Sequence, residues 1–187
     1  MPPKVKISKE NIIEAAIRLI RNEGAEAINA RTLAASLNCS TQPIFSNFAT
    51  MEELQKEVLI AAHTMYLNFL KREAESEKYP KYKSFGMAYI RFAKEEKELF
   101  KLLFMCDRKG DPLPATDDFD ASVDIIMNST GLSMERAKLM HLETWTSVHG
   151  IATMFATSFL ELEWDLVDRM LSDVYLGIRA RHLSEEA

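Results

Sequence analysis

Two short helical patterns separated by a tight turn constrain the fold of this 187-residue chain more than any other feature. They occupy residues 29–48, where Asn29 and Ser40 are expected to cap the two helices and Asn38 lies where a helix end favours a left-handed residue. Apolar residues on the facing sides of the two helices are Leu33, Ala34, Leu37, Ile44 and Phe48. The pattern predicts a helix-turn-helix, whose second helix can enter the major groove of DNA. An ordinary pair of packed helices would give the same local pattern.

The flanking residues favour the DNA-binding alternative. Residues 8–23 form an amphipathic helical pattern that ends before a glycine, and Thr50 and Glu53 have the spacing of a capping box at the start of a long helix. One helix, a helix pair and a long connecting helix are typical of a three-helix DNA-binding head. The sequence therefore predicts a helix-turn-helix domain over residues 1–50 and a larger helical domain over residues 51–187.

Charge is divided unevenly between these two parts of the chain, which has a net charge of −5. Residues 1–50 contain six Lys and Arg against four Asp and Glu, a balance of +2, and the remaining residues contain seventeen against twenty-four, a balance of −7. A protein that meets DNA phosphates at one end is expected to show this asymmetry. A slightly basic surface without a function would also account for a balance of +2.

Composition and periodicity predict an all-α protein. Hydrophobic residues make up 47% of the chain, which is enough for a core, while six glycines and six prolines leave few turns. Sustained alternation of apolar and polar residues, which strands would require, is absent. The N-terminus lacks the apolar core of a signal peptide, and residues 144–160, an uncharged stretch in the second half of the chain, are fewer than the ~20 residues of a membrane helix. We therefore expect a cytoplasmic protein without a membrane partner.

No motif for catalysis or cofactor binding accompanies these helices. His141 and His149 are separated by two helical turns, about 12 Å, which is too far for one metal ion. The two cysteines, Cys39 and Cys106, follow no metal or disulfide spacing. Gly-rich phosphate loops, nucleophile elbows and paired carboxylates are also absent. The sequence predicts no cofactor, no metal and no enzyme, and a helical enzyme with scattered catalytic residues is kept as a rival interpretation.

The last two predicted helices have apolar surfaces that suit a dimer interface. The helix from residue 134 to about residue 159 is apolar on two faces, so one face is expected to contact something other than its own core. The final helix has a coiled-coil-like seam with 3-4-3-4 spacing. Residues predicted for the interface are Trp164, Val167, Leu171, Val174, Ile178, Ala152 and Ala156. A homodimer joined by a four-helix bundle follows, unless both surfaces pack within one subunit.

The first 55 residues resemble the DNA-binding head of TetR-type transcriptional repressors. The matching segments keep the family's order and spacing and comprise residues 12–16, 24, 29–34, 39–40, 44–48 and 52–54. Three residues depart from the family pattern, because Asn38 replaces a glycine, Phe45 replaces a tyrosine and Met51 replaces a lysine. The last two changes remove groups that commonly donate to phosphates. The resemblance implies a repressor that binds an inverted-repeat operator in double-stranded DNA and is released by a small-molecule inducer.

Polar residues on the exposed side of the second helix are the expected groove contacts. Gln42 can pair bidentately with adenine, and Phe45 can make apolar contact with a sugar or a thymine methyl group. Arg31 and Lys9 are expected to contact phosphates. The predicted DNA-binding residues are Arg31, Thr41, Gln42, Phe45, Ser46, Asn47 and Lys9. The alternative is a helical small-molecule sensor whose head has lost sequence-specific DNA binding.

A second, looser resemblance covers residues 85–180, which are similar to one ligand-domain subgroup of the same family. It is carried by a Trp-x3-His-Gly motif at Trp145, His149 and Gly150 and by residues 98–104. In such a domain, aromatic and methionine side chains line a cavity for a small hydrophobic inducer. The ligand-binding residues that this implies are Phe85, Tyr89, Phe92, Phe104, Met105, Trp145 and His149. The same side chains also suit a packed core, in which His149 would be a hydrogen-bonded core residue.

Overall fold

The computed structural model describes residues 7–75, 78–107 and 117–184. Within these ranges the chain is helical and contains no strand, which confirms the predicted all-α class. No helix of the described ranges is long and apolar enough to cross a membrane. The regular elements are α1 (Lys9–Glu23), a 3-10 helix (Ala25–Ala27), α2 (Ala30–Ser36), α3 (Gln42–Asn47), α4 (Met51–Ala74), α5 (Lys81–Glu95), α6 (Lys97–Phe104), α7 (Asp117–Thr130), α8 (Met134–Ala156) and α9 (Trp164–Ser184).

Two compact units divide the described residues. The first unit contains α1, α2, α3, α6 and the beginning of α4, which are residues 7–66 and 96–107. The second unit contains the end of α4 together with α5, α7, α8 and α9. The predicted domains over residues 1–50 and 51–187 follow sequence order, whereas the compact units do not, because α6 packs with α1. An independent DNA-binding domain over residues 1–50 stays a prediction.

The two helices of the predicted helix-turn-helix are present as α2 and α3. The side-chain oxygen of Asn29 accepts hydrogen bonds from the backbone N–H groups of Arg31 and Thr32 at 3.0 and 3.1 Å, which caps α2 as predicted. The prediction that Ser40 caps α3 is wrong. Thr41 occupies the cap position with helical backbone angles, and its side chain makes no capping bond. A residue already in the helical conformation cannot turn its hydroxyl toward the first free N–H groups of the helix.

The turn that follows α2 depends on Asn38, which has a φ of 51°. The backbone N–H of Asn38 donates to Ala35 O at 3.1 Å, and that of Cys39 donates to Ala34 O at 2.9 Å. This pair of bonds is a Schellman motif, which satisfies the last carbonyl groups of a helix. Asparagine tolerates the left-handed conformation better than most residues with a side chain. The replacement of the family's glycine by Asn38 therefore preserves the turn.

The starts of α1 and α4 are capped by side chains. Ser8 Oγ accepts from the Asn11 N–H at 3.2 Å, and the Asn11 side chain accepts from the Ser8 N–H, also at 3.2 Å. At α4, Thr50 Oγ1 accepts from the Glu53 N–H at 3.2 Å, as the predicted capping box requires. The return bond differs from that prediction, because the Glu53 carboxylate accepts from the N–H of Ala49, one residue earlier, at 2.6 Å.

The first unit has one apolar core between α1, α2, α3, α4 and α6. Its most completely buried side chains are Ile12, Ile20, Leu33, Ile44, Phe48, Leu54, Leu99 and Phe100. The guanidinium of Arg21 donates to both carboxylate oxygens of Glu96, at 2.8 and 2.6 Å, and so ties the start of α6 to the end of α1. Gly24 ends α1 with a φ of 85°, and a Cβ there would lie 3.3 Å from a carboxylate oxygen of Glu98. Glycine is the residue that suits this conformation and this close approach.

The second unit is organised by the packing of α5 against α8. Two tyrosine–histidine pairs join these helices, with Tyr82 Oη 2.8 Å from His141 Nδ1 and Tyr89 Oη 2.9 Å from His149 Nδ1. Between them, a Cβ on Gly86 would lie 3.4 Å from a valine side chain of α8, so the glycine allows the close approach. The two pairs lie two helical turns apart on both helices, which explains the spacing of the two histidines in the sequence.

The predicted seam of α9 faces the core of its own unit. Val167 and Leu171 are only 0% and 5% exposed, and Ala152 and Ala156 of α8 are equally buried. Their assignment to a dimer interface is therefore corrected, because a side chain covered within one chain has no surface to offer a partner. Ile178 packs against the buried cluster of α7 and α8. The two remaining predicted interface residues are half-buried, and these are Trp164 and Val174.

The outward faces of α8 and α9 carry apolar residues that the seam prediction did not include. On α8 these are Leu139, Leu142 and Trp145, and on α9 they are Leu166 and Leu176. The three residues on α8 spread over about 120° of the helix surface and the two on α9 are about 80° apart, so each set lies on one broad side of its helix. We call these five residues the outer stripe.

The stability of the protein is expected to fall as the pH drops below about 6.5. Burial lowers the pKa of both His141 and His149 from the ordinary value of 6.5. The unfolded chain therefore takes up protons first as the pH falls, and the free energy of unfolding decreases from pH 6.5 down through the folded-state pKa values. Urea unfolding of the wild type and of His141→Gln, between about pH 5 and pH 7.5, measures this dependence. An unchanged slope in the variant would contradict the assignment to His141.

Candidate functional site

Helix α3, the predicted recognition helix, presents one face to solvent and one to the core. Ile44 and Phe48 are buried, whereas Gln42, Phe45 and Ser46 are exposed, with 51% of the Phe45 surface accessible. Helix α3 has only six residues, and a phenylalanine this exposed leaves apolar surface in contact with solvent. The face therefore combines an amide, an aromatic ring and a hydroxyl within two helical turns, which are groups that can reach base edges and thymine methyl groups.

Two of the predicted contact residues on α3 already make side-chain hydrogen bonds within the chain. Ser46 Oγ donates to Gln42 O at 2.9 Å. The side-chain amide of Asn47 donates to Pro43 O at 2.7 Å and to Ile7 O at 3.3 Å, so it ties α3 to the segment before α1. Asn47 and Thr41 are half-buried. Gln42 and Phe45 are exposed residues of α3, and both side chains are accessible to DNA.

The two predicted phosphate contacts differ in their surroundings. Arg31 is exposed in the first turn of α2. Lys9 lies against α4, where its ammonium group is 3.7 Å from Glu53 and 3.4 Å from Glu57, and it lies 4.9 Å from the ring centroid of Phe48. To reach a phosphate, Lys9 would have to leave these carboxylates. Its role as a phosphate contact stays a prediction, and no local pattern could indicate the two ion pairs, because they join residues more than 40 positions apart.

The predicted ligand-binding residues are distributed over both units. In the second unit, Tyr89 bonds to His149, whose ring stacks on Trp145 with centroids 4.9 Å apart and planes 18° apart. Buried Phe92 packs edge-on against Phe69, with centroids 5.4 Å apart. Phe85 is half-buried on α5. These contacts bring Tyr89, Trp145 and His149 together as one cluster on α5 and α8.

The other two predicted ligand-binding residues belong to the first unit. Phe104 packs on Tyr66 at 5.0 Å and on Phe100 at 5.1 Å between ring centroids. Met105 is exposed at the end of α6. The aromatic residues predicted to line one ligand site therefore lie in two separate packing arrangements.

A cleft of about 260 Å³ lies in the second unit, where sequence reasoning expected no site. Its walls come from the end of α4, the segment before α5 and the first turns of α5. The lining residues are Glu73, Lys78, Tyr79, Ser84, Met87, Ala88 and Arg91. A motif search could not find it, because its two strongest polar groups, Glu73 and Arg91, meet only after two helices have packed. Across the described ranges, no group of three or more His, Cys, Asp or Glu residues could hold a metal ion.

Comparisons with known proteins agree with this architecture. A family model described as "Tetracyclin repressor-like, C-terminal domain" matches residues 82–174. An uncharacterized HTH-type transcriptional regulator of Mycobacterium tuberculosis is 24% identical over 180 residues, which are 94% of this chain and 81% of that protein.

Solved structures share the fold over nearly the whole chain. A TetR-like transcriptional regulator from Rhodococcus sp. RHA1 is similar with a TM-score of 0.70 at 14% identity, covering 94% of this chain and 96% of that one. A TetR variant from Acinetobacter baumannii, solved in complex with minocycline, has a TM-score of 0.56 at 16% identity and 97% coverage of both chains. With the helix-turn-helix of the first unit and the match over residues 82–174, these findings identify a transcriptional regulator rather than an enzyme, and the chain belongs to the TetR family.

Proposed function

We propose that this regulator is a homodimeric repressor that binds an inverted-repeat operator and is released by a small hydrophobic inducer. The observation that carries the proposal is the exposed face of α3, where Gln42 and Phe45 stand on a helix anchored by Ile44 and Phe48. Because such a helix fits the major groove, the two copies of a dimer would read two half-sites about 34–36 Å apart. An operator-binding protein acts where the DNA lies, so we propose a cytoplasmic location.

The outer stripe supports the proposal of a homodimer. Leucine and tryptophan side chains that are exposed on one side of a helix are costly to leave in water, and burial against a second copy would remove that cost. A two-fold axis would bring the outer stripe of one subunit against that of the other, and α8 and α9 of both subunits would form a four-helix bundle. On α9 this interface uses the side of the helix opposite the predicted seam, whereas on α8 Leu142 and Trp145 lie on the same side as the predicted Ala152 and Ala156, nearer the start of the helix.

The proposed response to an inducer depends on α4. Helix α4 contributes residues to both compact units, and it begins shortly after the recognition helix α3. A ligand that moves the end of α4 in the second unit would therefore act on a helix that is connected to α3. A changed spacing of the two recognition helices would weaken operator binding. An inducer that left DNA affinity unchanged would refute this part of the proposal.

Selection of bound sequences from random duplex DNA, with purified protein at low salt, tests the function. Enrichment of an inverted repeat is expected. A salt titration on the enriched site then counts phosphate contacts from a slope of about −0.9 per contact. No enrichment, even after the protein has been unfolded and refolded to remove any bound ligand, would favour the alternative, a small-molecule sensor whose head no longer reads DNA because Phe45 and Met51 replace phosphate donors.

Gln42→Ala is expected to weaken binding to the selected operator by about 1–3 kcal/mol and to relax preference at one base pair of each half-site. Because the Gln42 side chain is exposed, its removal leaves the core of the first unit intact. The loss of affinity therefore measures the contact of Gln42 with DNA. Arg31→Ala serves as the comparison, because loss of a phosphate contact should weaken all sequences alike and lower the salt slope by about 0.9. Equal losses on all sequences with Gln42→Ala would contradict base reading.

A further inference from the structure

Two residues at the end of α3 contact the start of α1. The side-chain amide of Asn47 donates to Ile7 O at 3.3 Å, and the ammonium of Lys9 lies 4.9 Å from the ring centroid of Phe48. Asn47 and Lys9 are half-buried, so both contacts are partly shielded from water. They connect the end of the predicted recognition helix with an element that lies outside the helix-turn-helix.

Lys9 also connects this region with the start of α4. Its ammonium lies 3.4 Å from a carboxylate oxygen of Glu57 and 3.7 Å from one of Glu53. The other carboxylate oxygen of Glu53 accepts from the backbone N–H of Ala49, which is the second residue after α3, at 2.6 Å. The contacts of α1, α3 and α4 thus meet at four side chains. We call Lys9, Asn47, Glu53 and Glu57 the clamp.

Helix α3 has few contacts of its own that fix its orientation. Its cap residue Thr41 makes no side-chain bond, and of its six described residues Ile44 is the one that is buried. A helix this short is unstable in isolation, so the contacts at its ends decide how it lies on the core. A single exposed ion pair contributes little, whereas in the clamp one ammonium is shared by two carboxylates and an aromatic ring.

The side chains of Lys9 and Asn47 are already engaged within the first unit. The amide nitrogen of Asn47 donates to Pro43 O at 2.7 Å as well as to Ile7 O. An amide nitrogen has two N–H donors, and each of them serves one of these carbonyl oxygens. A contact with DNA would require Asn47 to break these bonds and Lys9 to leave both of its carboxylates.

We infer that the clamp positions α3 for the reading of DNA, and that Lys9 and Asn47 are positioning residues instead of DNA contacts. Hydrogen bonds to base edges tolerate changes of only a few tenths of an ångström. A helix that is free to tilt therefore weakens all of its base contacts together. The inference rests on the proposal that α3 reads bases, and it adds residues that act through α3 without touching DNA.

Lys9→Met, measured on the selected operator, separates positioning from phosphate contact. Methionine keeps an unbranched apolar stem and removes the ammonium. Binding is expected to become about fivefold weaker, in line with the loss of a small ion-pair network. The dependence of affinity on salt should stay unchanged, because no phosphate contact is lost. A salt slope reduced by about 0.9 would show that Lys9 binds a phosphate and would overturn the inference.

Glutamates at the start of α4 are expected to give effects of opposite sign. The double variant Glu53→Gln, Glu57→Gln removes both partners of Lys9 and is expected to bind the operator about fivefold more weakly, although it removes negative charge. Glu52→Gln is the matched control, because Glu52 is exposed in the same turn and its hydrogen bonds to its own N–H and to Thr50 lower its pKa. It should bind equally well or more tightly, since a carboxylate repels phosphates. Tighter binding by the double variant would overturn the inference.

NMR spectra of the free protein test the orientation of α3 without DNA. In Lys9→Met and in Asn47→Ala, the backbone amide signals of residues 42–47 are expected to shift, while those of the buried Leu33 and Ala34 in α2 stay in place. Urea unfolding checks that both variants are folded. Weaker operator binding with unshifted α3 signals, or preference relaxed at a single base pair by Asn47→Ala, would overturn the inference. If no operator is selected, the proposed function fails, and the NMR spectra still decide whether the clamp positions α3.

Discussion

Replacement of Phe48 by alanine is expected to destabilise the first unit strongly and to weaken DNA binding. Phe48 directly follows α3, is 1% exposed, and its N–H donates to Ile44 O at 2.9 Å. Removal of a buried phenyl ring costs about 3–5 kcal/mol, because the lost apolar burial is added to the cost of a cavity. A loss of this size is a large part of the ~5–15 kcal/mol that stabilises a typical domain.

The measurement compares Phe48→Ala with Phe45→Ala by urea unfolding and by DNA binding. Phe45 lies three residues earlier and is 51% exposed, so its removal is expected to change the free energy of unfolding by less than about 0.5 kcal/mol. It should nevertheless weaken DNA binding by about 1 kcal/mol, because the exposed ring would lose its apolar contact in the groove. Equal losses of stability in the two variants would contradict the assignment of Phe48 to the core and Phe45 to the DNA surface.

Replacement of Leu142 by glutamate is expected to convert the proposed dimer into a monomer. Leu142 lies in the middle of the outer stripe on α8 and is 49% exposed in the single chain. An unpaired carboxylate in a closed interface costs about 3–5 kcal/mol, which raises the dimer dissociation constant by more than a hundredfold. A monomer holds one half-site at a time, so operator affinity should fall by a factor of about 10²–10⁴.

Light scattering and operator binding measure this effect, and Ile60→Glu is the control. Ile60 is 44% exposed, but it lies on the part of α4 that belongs to the first unit, outside the outer stripe. It should therefore leave the dimer intact. A dimer that survives Leu142→Glu, or a monomer in both variants, would refute the assignment of the outer stripe to the interface.

The head of the protein could be predicted closely from sequence because its signals are local. The cap by Asn29 and the left-handed turn at Asn38 involve partners within five residues, so neighbouring chemistry decides them. Burial of Ile44 and Phe48 follows from helical spacing alone. The cap of α3 was the exception. Ser40 and Thr41 are both chemically suited to cap a helix, but the path of the turn places Thr41 at the cap position, where its side chain makes no capping bond.

The rest of the candidate site depended on contacts between distant residues. The seam of α9 has the spacing of an interface, yet spacing does not say whether an apolar face meets its own core or a second subunit. The fold covered Val167 and Leu171 and left Leu142 and Trp145 exposed. Similarly, the aromatic residues expected around one ligand were divided between two units, because α6 packs with α1 through the pair of Arg21 and Glu96.

By itself, the sequence determined the all-α class, the helix-turn-helix and the family, because helical periodicity, caps and turn residues act over a few positions. Only the tertiary structure decided which apolar faces remain exposed, which histidines meet tyrosines, and where Glu73 and Arg91 enclose a cleft. These features join residues 18 to 60 positions apart. Their partners are set by how whole helices pack, which no local pattern encodes.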